Sequence, residues 1–123
     1  MYEITTESHF SAAHRLRDYS GPCENIHGHN WLVRATYRCS ELQKNGIGID
    51  FKILKGKLKD ILEEFDHKDL NLVLGGEDGL NPSSENLARY IFEKLEKALV
   101  DHSGSVARVE VHETPGNLAA YFK

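Results

Sequence analysis

No apolar run in this chain approaches bilayer-spanning length, so no segment reads as a transmembrane helix. The start, Met1-Tyr2-Glu3-Ile4, lacks the basic-then-apolar pattern of a secretion signal, and the expected compartment is the cytoplasm. Cysteine is scarce. Cys23 and Cys39 are the only two, and in a reducing compartment both are expected as free thiols. Excess positive charge is missing too: the net charge is −4 and the basic residues are dispersed, so no nucleic-acid footprint is present. A phosphorylated small molecule still suits such a chain if its pocket is locally positive. There is no internal repeat, low-complexity tract or Pro/Gly/Ser-rich linker, and 123 residues are expected to form one domain, 1–123. A hydrophobic content of 40% with 28% charged residues argues against disorder. A domain this small has little interior in which to enclose a substrate, so an enzyme built on it is expected to borrow a pocket wall from a second subunit.

Residues 2–14 read as an extended segment broken by small residues. Over 27–39 one parity runs His27, His29, Trp31, Val33, Ala35, Tyr37, Cys39, and the other Gly28, Asn30, Leu32, Arg34, Thr36, Arg38. That alternation predicts a strand with one more apolar face, on which Cys39 is a small core residue. After a loop at 44–48, Asp50 is placed to cap a helix whose buried stripe is Leu54, Leu58, Ile61, Leu62 and Phe65. Asn81-Pro82-Ser83-Ser84-Glu85 starts a second helix that buries Leu87, Ile91, Leu95, Ala98 and Leu99. Residues 106–113 and 118–122 close the chain as two strands around Pro115-Gly116-Asn117. Strand pairs with short joins favour antiparallel pairing, and two helices on one face give an α+β layer. The other face of the sheet needs a partner, for which self-association is the simplest source.

The densest chemistry lies in Cys23-Glu24-Asn25-Ile26-His27-Gly28-His29. On a strand, His27 and His29 point the same way, about 6.6 Å apart along the backbone, and two imidazoles leaning inward can share an ion. His14, at the end of the earlier extended segment, supplies a third imidazole. Three neutral nitrogens with a fourth position open is the arrangement of a catalytic zinc. Cys23 is then a fourth ligand of a closed structural site, a nucleophile or a proton acceptor; a divalent cation nearby favours its reactive thiolate. Asp66 and His67 fall at the end of the first helix. An adjacent carboxylate orients an imidazole for proton transfer, although the helix dipole alone also favours a histidine there. Glu113 shares parity with Val109 and Val111, so it points into the protein or a pocket, where a carboxylate pairs with a planar amidine-like group, or else ends the strand in solvent. His112 faces the other way and reads as structural; His9 and His102 read as surface residues.

Taken together these residues resemble the tunnelling-fold family of 6-pyruvoyl-tetrahydropterin synthases and 6-carboxytetrahydropterin synthases. The likeness runs through Phe10-Ser11-Ala12-Ala13-His14, Cys23-x₃-His27-Gly28-His29-Asn30, Asp66-His67-x₂-Leu70-Asn71, Asn81-Pro82-Ser83-Ser84-Glu85-Asn86 and Glu113-Thr114. The three-residue spacing between Cys23 and His27 resembles the bacterial carboxytetrahydropterin synthases of queuosine biosynthesis. The resemblance implies a tunnelling fold (T-fold): a four-stranded antiparallel sheet with two helices on one face, in the order β-β-α-α-β-β. It further implies that three subunits close a barrel and that two such rings stack into a homohexamer with sites at subunit interfaces. It implies Zn2+ held by His14, His27 and His29, Cys23 as the catalytic thiol, Asp66 and His67 as a proton relay, and Glu113 as the catalytic-site anchor of the pterin. The implied substrate is 7,8-dihydroneopterin triphosphate, converted to 6-carboxy-5,6,7,8-tetrahydropterin with release of acetaldehyde and triphosphate. The side chain supplies the electrons, so no redox cofactor is implied. Glu24 marks a departure, since relatives that shorten this substrate to 6-hydroxymethyl-7,8-dihydropterin for folate synthesis carry a glutamate beside the zinc motif. It is read as a second base that redirects cleavage or as a solvated loop acid. A pyruvoyl-tetrahydropterin product is a further alternative. From another class, a non-catalytic zinc- or pterin-binding module predicts a filled metal shell and no turnover.

Overall fold

Alternating burial along two 13-residue strands, β1 (Tyr2–His14) and β2 (His27–Cys39), builds the centre of the molecule. The computed structural model describes residues 1–21 and 25–123, with the backbone alone at Glu77. The helix α1 (Phe51–Leu62) follows, capped by Asp50, whose carboxylate accepts from the Lys52 amide. A two-residue strand β3 (Lys68–Asp69) and a single helical turn α2 (Leu70–Val73) come next. The helix α3 (Ser84–Ala98) then leads to β4 (Ser105–Thr114) and β5 (Asn117–Phe122). The strand order is β3-β1-β2-β4-β5; the four long strands pair antiparallel as expected, and β3 adds a short parallel edge to β1.

α1 packs on β1, and α3 on β4 and β5, so both long helices cover the same face. Beneath them Phe10, Trp31, Val33, Ala35, Tyr37, Val109 and Val111 meet Leu54, Leu58, Phe65, Leu87, Ile91 and Leu95 in one buried cluster. The opposite face is polar. It carries the ion pairs Arg38–Glu3 at 2.6 Å, Arg34–Glu7 at 3.1 Å and Arg108–Glu110 at 3.2 Å. The β4–β5 turn uses Pro115-Gly116, with Gly116 at φ 91°, where the left-handed second turn position calls for glycine.

Three expectations need correction. α1 ends at Leu62, not at Phe65; Phe65 is still buried because a tight turn, with its amide donating to the Leu62 carbonyl, folds it back onto the core. Ala98 is exposed, and the α3 stripe is completed instead by Ala88 and Phe92, which the register of the helix turns inward. His102 is half-buried rather than fully exposed, and its amide donates to the Leu99 carbonyl. His9 is exposed and Cys39 is buried, as expected. Among the described residues no helix is long and apolar enough to cross a membrane.

Candidate metal centre and its surroundings

His14 ends β1 and His27 opens β2, and the antiparallel register sets them directly opposite each other, with His29 opposite Ala12. All three share the parity of Phe10 and Trp31, so their rings gather at one end of the helix-covered face. Ring centroids are 4.6 Å apart for His14–His27, 4.8 Å for His27–His29 and 5.2 Å for His14–His29. Trp31 walls the group from the core side, 4.9 Å from His14 and 5.3 Å from His29, with its indole N–H donating to the Ala12 carbonyl.

The outer nitrogens decide what the inner ones can do. His14 Nδ1 lies 2.7 Å from the Pro82 carbonyl oxygen and His27 Nδ1 2.7 Å from that of Asn25. A carbonyl only accepts, so both Nδ1 atoms carry the proton and, in the neutral rings, each Nε2 presents a lone pair. Burial is the main cause that lowers the pKa of His29, with His14 and His27 adding to it and the Glu113 carboxylate opposing. His29 therefore favours the neutral form, the one that can ligate a metal.

Glu113 joins the three rings. Its Oε1 lies 3.0 Å from Nε2 of both His14 and His29, and one ligand atom from each of His14, His27, His29 and Glu113 falls within 4.8 Å of the others. Among the described residues the buried Nε2 atoms of His14 and His29 find no hydrogen-bond partner. At His14, whose Nδ1 carries the proton, a bare Nε2 against the carboxylate oxygen sets lone pair against lone pair, and a shared cation would turn that into attraction. Three nitrogens and one carboxylate oxygen are a donor set that suits zinc. The residues present therefore fit the metal implied by the resemblance.

β4 explains the position of Glu113. Its pairing with β5 shifts register between His112 and Thr114, leaving Glu113 as the extra residue of a bulge. Bulges re-aim side chains, and this one sends the carboxylate toward the histidines. His112, on the other parity, sits 3.2 Å from Glu110, in keeping with a structural role.

Asp66 and His67 lie beyond the end of α1, in the turn before β3. Asp66 accepts from the Ser11 amide at 2.9 Å, which is the main reason its pKa lies below the ordinary carboxylate value; the nearby His67 ring adds to this. His67 Nδ1 is 3.1 Å from Asp66 Oδ2, and the ring is 82% exposed. Its backbone is left-handed at φ 60°, held there by its amide donating to the Ser11 carbonyl at 2.6 Å. Such a conformation is uncommon outside glycine and collects at functional sites. An open cavity of about 480 Å³ has Ser11, Asn30, His29, His67 and Lys68 in its lining, so one hollow joins His67 to a member of the histidine cluster. Cys23 and Glu24 lie outside the described residues.

Sequence reasoning missed the supports of His14. Asn71 forms paired hydrogen bonds with the backbone of Arg15, and Asn81 does the same with Arg17, at 2.8 to 3.3 Å. Asn86 donates to the Asn81 carbonyl at 2.9 Å. The segment after β1 is thus clamped, and the Pro82 carbonyl is set on His14. A backbone carbonyl leaves no signature in a sequence, but the three asparagines in otherwise strand- and helix-forming surroundings were a signal. Arg17 is engaged by the turn at 76–79, donating to the carbonyls of Gly76 and Gly79.

Comparison with known proteins agrees with this geometry. The chain is 38% identical to the 6-carboxy-5,6,7,8-tetrahydropterin synthase of Synechocystis, covering 99% of this chain and 94% of that protein. It is 29% identical to the Bacillus subtilis protein of the same name, over 98% and 84% of the two chains. The structure of Caenorhabditis elegans 6-pyruvoyl tetrahydropterin synthase superposes with a TM-score of 0.83 at 32% identity, covering 100% of this chain and 97% of that one. The tunnelling fold implied by the resemblance is therefore the fold of this protein. With the 6-pyruvoyl tetrahydropterin synthase family matched over residues 3–123, the chain belongs to that family.

Proposed function

We propose that this protein is a zinc-dependent lyase that converts 7,8-dihydroneopterin triphosphate to 6-carboxy-5,6,7,8-tetrahydropterin, releasing acetaldehyde and triphosphate, in queuosine and 7-deazaguanine biosynthesis. Membership of a family of pterin synthases makes the chain an enzyme. The observation that carries the metal-dependent reading is the convergence of three imidazoles and a carboxylate, with two buried Nε2 atoms that find no hydrogen-bond partner among the described residues. The Synechocystis relative supports the carboxy product over the pyruvoyl one.

His14, His27 and His29 would hold the zinc, with the Pro82 and Asn25 carbonyls fixing the tautomers of the first two. When bound, zinc supplies Lewis-acid polarisation of the substrate's side-chain hydroxyls. Cys23, four positions before His27 in the chain, is the proton acceptor. His67 relays protons, and Asp66 keeps its ring in place. Glu113 accepts from the amino-pyrimidine edge of the pterin and sets the reacting carbons before the base. Glu24 is the residue on which a folate-type cleavage depends.

The chain works as a homohexamer of two stacked trimers. Support comes from the sheet, which is open at both ends: β1 carries β3 on its outer side only at residues 12 and 13, and β5 has no outer neighbour among the described residues. Its helix-free face is polar enough to line a wet barrel rather than a core.

Incubating the zinc-loaded protein with dihydroneopterin triphosphate and identifying the products by mass tests the reaction. Carboxytetrahydropterin with acetaldehyde is expected. Hydroxymethyl-dihydropterin that disappears in Glu24→Ala assigns the folate reaction instead, pyruvoyl-tetrahydropterin alone assigns the third activity, and no turnover leaves a binding module.

A further inference from the structure

We infer that Glu113 is a fourth metal ligand in the resting protein and leaves that place to pair with the pterin ring, so that ring binding itself opens the metal's coordination shell. The inference rests on the reading above that His14, His27 and His29 hold a metal ion and that Glu113 anchors the pterin.

The two tasks of Glu113 exclude each other. Its Oε1 stands 3.0 Å from the Nε2 atoms of both His14 and His29, and the four donors lie within 4.8 Å. Four protein donors make the closed shell of a structural site, whereas a catalytic site needs an open position. A carboxylate turned toward those nitrogens does not offer both oxygens to a planar amino-pyrimidine edge, which needs two parallel N–H bonds. Resting protein and substrate complex must therefore hold Glu113 differently.

The surroundings allow the exchange. The Glu113 side chain is 28% exposed, and it also lines a second cavity of about 270 Å³ with Ser84 and Glu85 from the start of α3 and Asn117, Leu118 and Ala119 from β5. It occupies the bulge of β4, where no β5 residue pairs with it. A side-chain rotation moves the carboxylate from the histidines toward that cavity without breaking a strand pair. Glu113 thus keeps other ligands from the metal until a pterin arrives. Its departure then leaves three imidazoles and a free position for the substrate hydroxyls. Linkage makes the effect reciprocal: a pterin ring that takes Glu113 away weakens metal binding by the factor by which the metal weakens ring binding.

Cobalt(II) in place of zinc reports the ligand set through its visible absorption, and 6-methylpterin provides the ring without side-chain hydroxyls. In the wild type, 6-methylpterin is expected to change the cobalt spectrum and lower cobalt affinity. Glu113→Ala and Glu113→Gln are expected to bind cobalt at least about tenfold more weakly, with an altered spectrum that 6-methylpterin does not change further. Wild-type affinity and spectrum in both variants, or 6-methylpterin binding to the wild type with no spectral change, overturns the inference alone. Failure of the wild type to take up cobalt overturns the three-imidazole reading and the inference with it.

Discussion

A buried imidazole tied through one nitrogen to a carbonyl can ligate in only one direction, and His14 is in that state, 1% exposed with Nδ1 on the Pro82 oxygen. Its place on the same side as the other imidazoles was legible because a strand sets alternate residues on one side, and the spacing of His27 and His29 needs no tertiary information. The arrival of Glu113 beside them was half legible: its parity with Val111 showed an inward side chain, but the bulge that aims it is set by pairing with β5. The lowered pKa of His29 gives a pH prediction for the metal-free protein. An imidazole harder to protonate when folded adds stability that is fully present above its ordinary value of 6.5 and is lost as pH falls through it. The urea midpoint of the metal-free wild type is expected to drop between pH 7.5 and 5 by more than that of His29→Gln. Asp66, also depressed, acts lower on the scale: its contribution is full above the ordinary carboxylate value near 3.8 and is lost as pH falls below it. Asp66→Asn is expected to keep the fold and reduce kcat about 100-fold, the lower end of general acid–base catalysis, in steady-state assays near neutral pH.

At the level of elements, local patterns and tertiary packing disagree at α1. The apolar stripe ran on to Phe65 as if helical, yet the chain leaves the helix at Leu62 because Asp66 and His67 are captured by the backbone of Ser11. That contact spans 55 positions, so no local pattern announces it. The start of α3 was legible through its cap residues, and Ser83 does accept from the Asn86 amide. What the cap residues did not announce is that this turn also orients the His14 ring through the Pro82 carbonyl. Two substitutions separate the roles. Ile91→Ala, in the middle of the fully buried α3 stripe, is expected to cost about 2–5 kcal/mol in urea unfolding and to leave metal affinity of the folded protein unchanged. Asn81→Ala frees the segment that presents the Pro82 carbonyl to His14, and is expected to weaken zinc binding about 10- to 100-fold by competition with a chromophoric chelator.

On the scale of the molecule, a sheet of four long strands and the short β3, with both long helices on one side, leaves a charged face and, among the described residues, an unpaired β5 edge and a largely unpaired β1 edge. That much followed from element order and length, since so small a domain cannot cover both faces of its sheet. The proposed hexamer depends on edge geometry that no sequence pattern encodes. Light scattering is expected to give a mass six times the 13.9 kDa chain. Aspartate in place of the exposed Leu118 and Phe122 on β5 is expected to shift the protein toward smaller species. Metal content per chain tests the convergence of His14, His27 and His29 most directly. After zinc reconstitution and gel filtration, elemental analysis is expected to find one zinc per wild-type chain and almost none in a folded His27→Ala variant; no zinc in the wild type, or an undiminished content in the variant, contradicts a metal held by these three imidazoles.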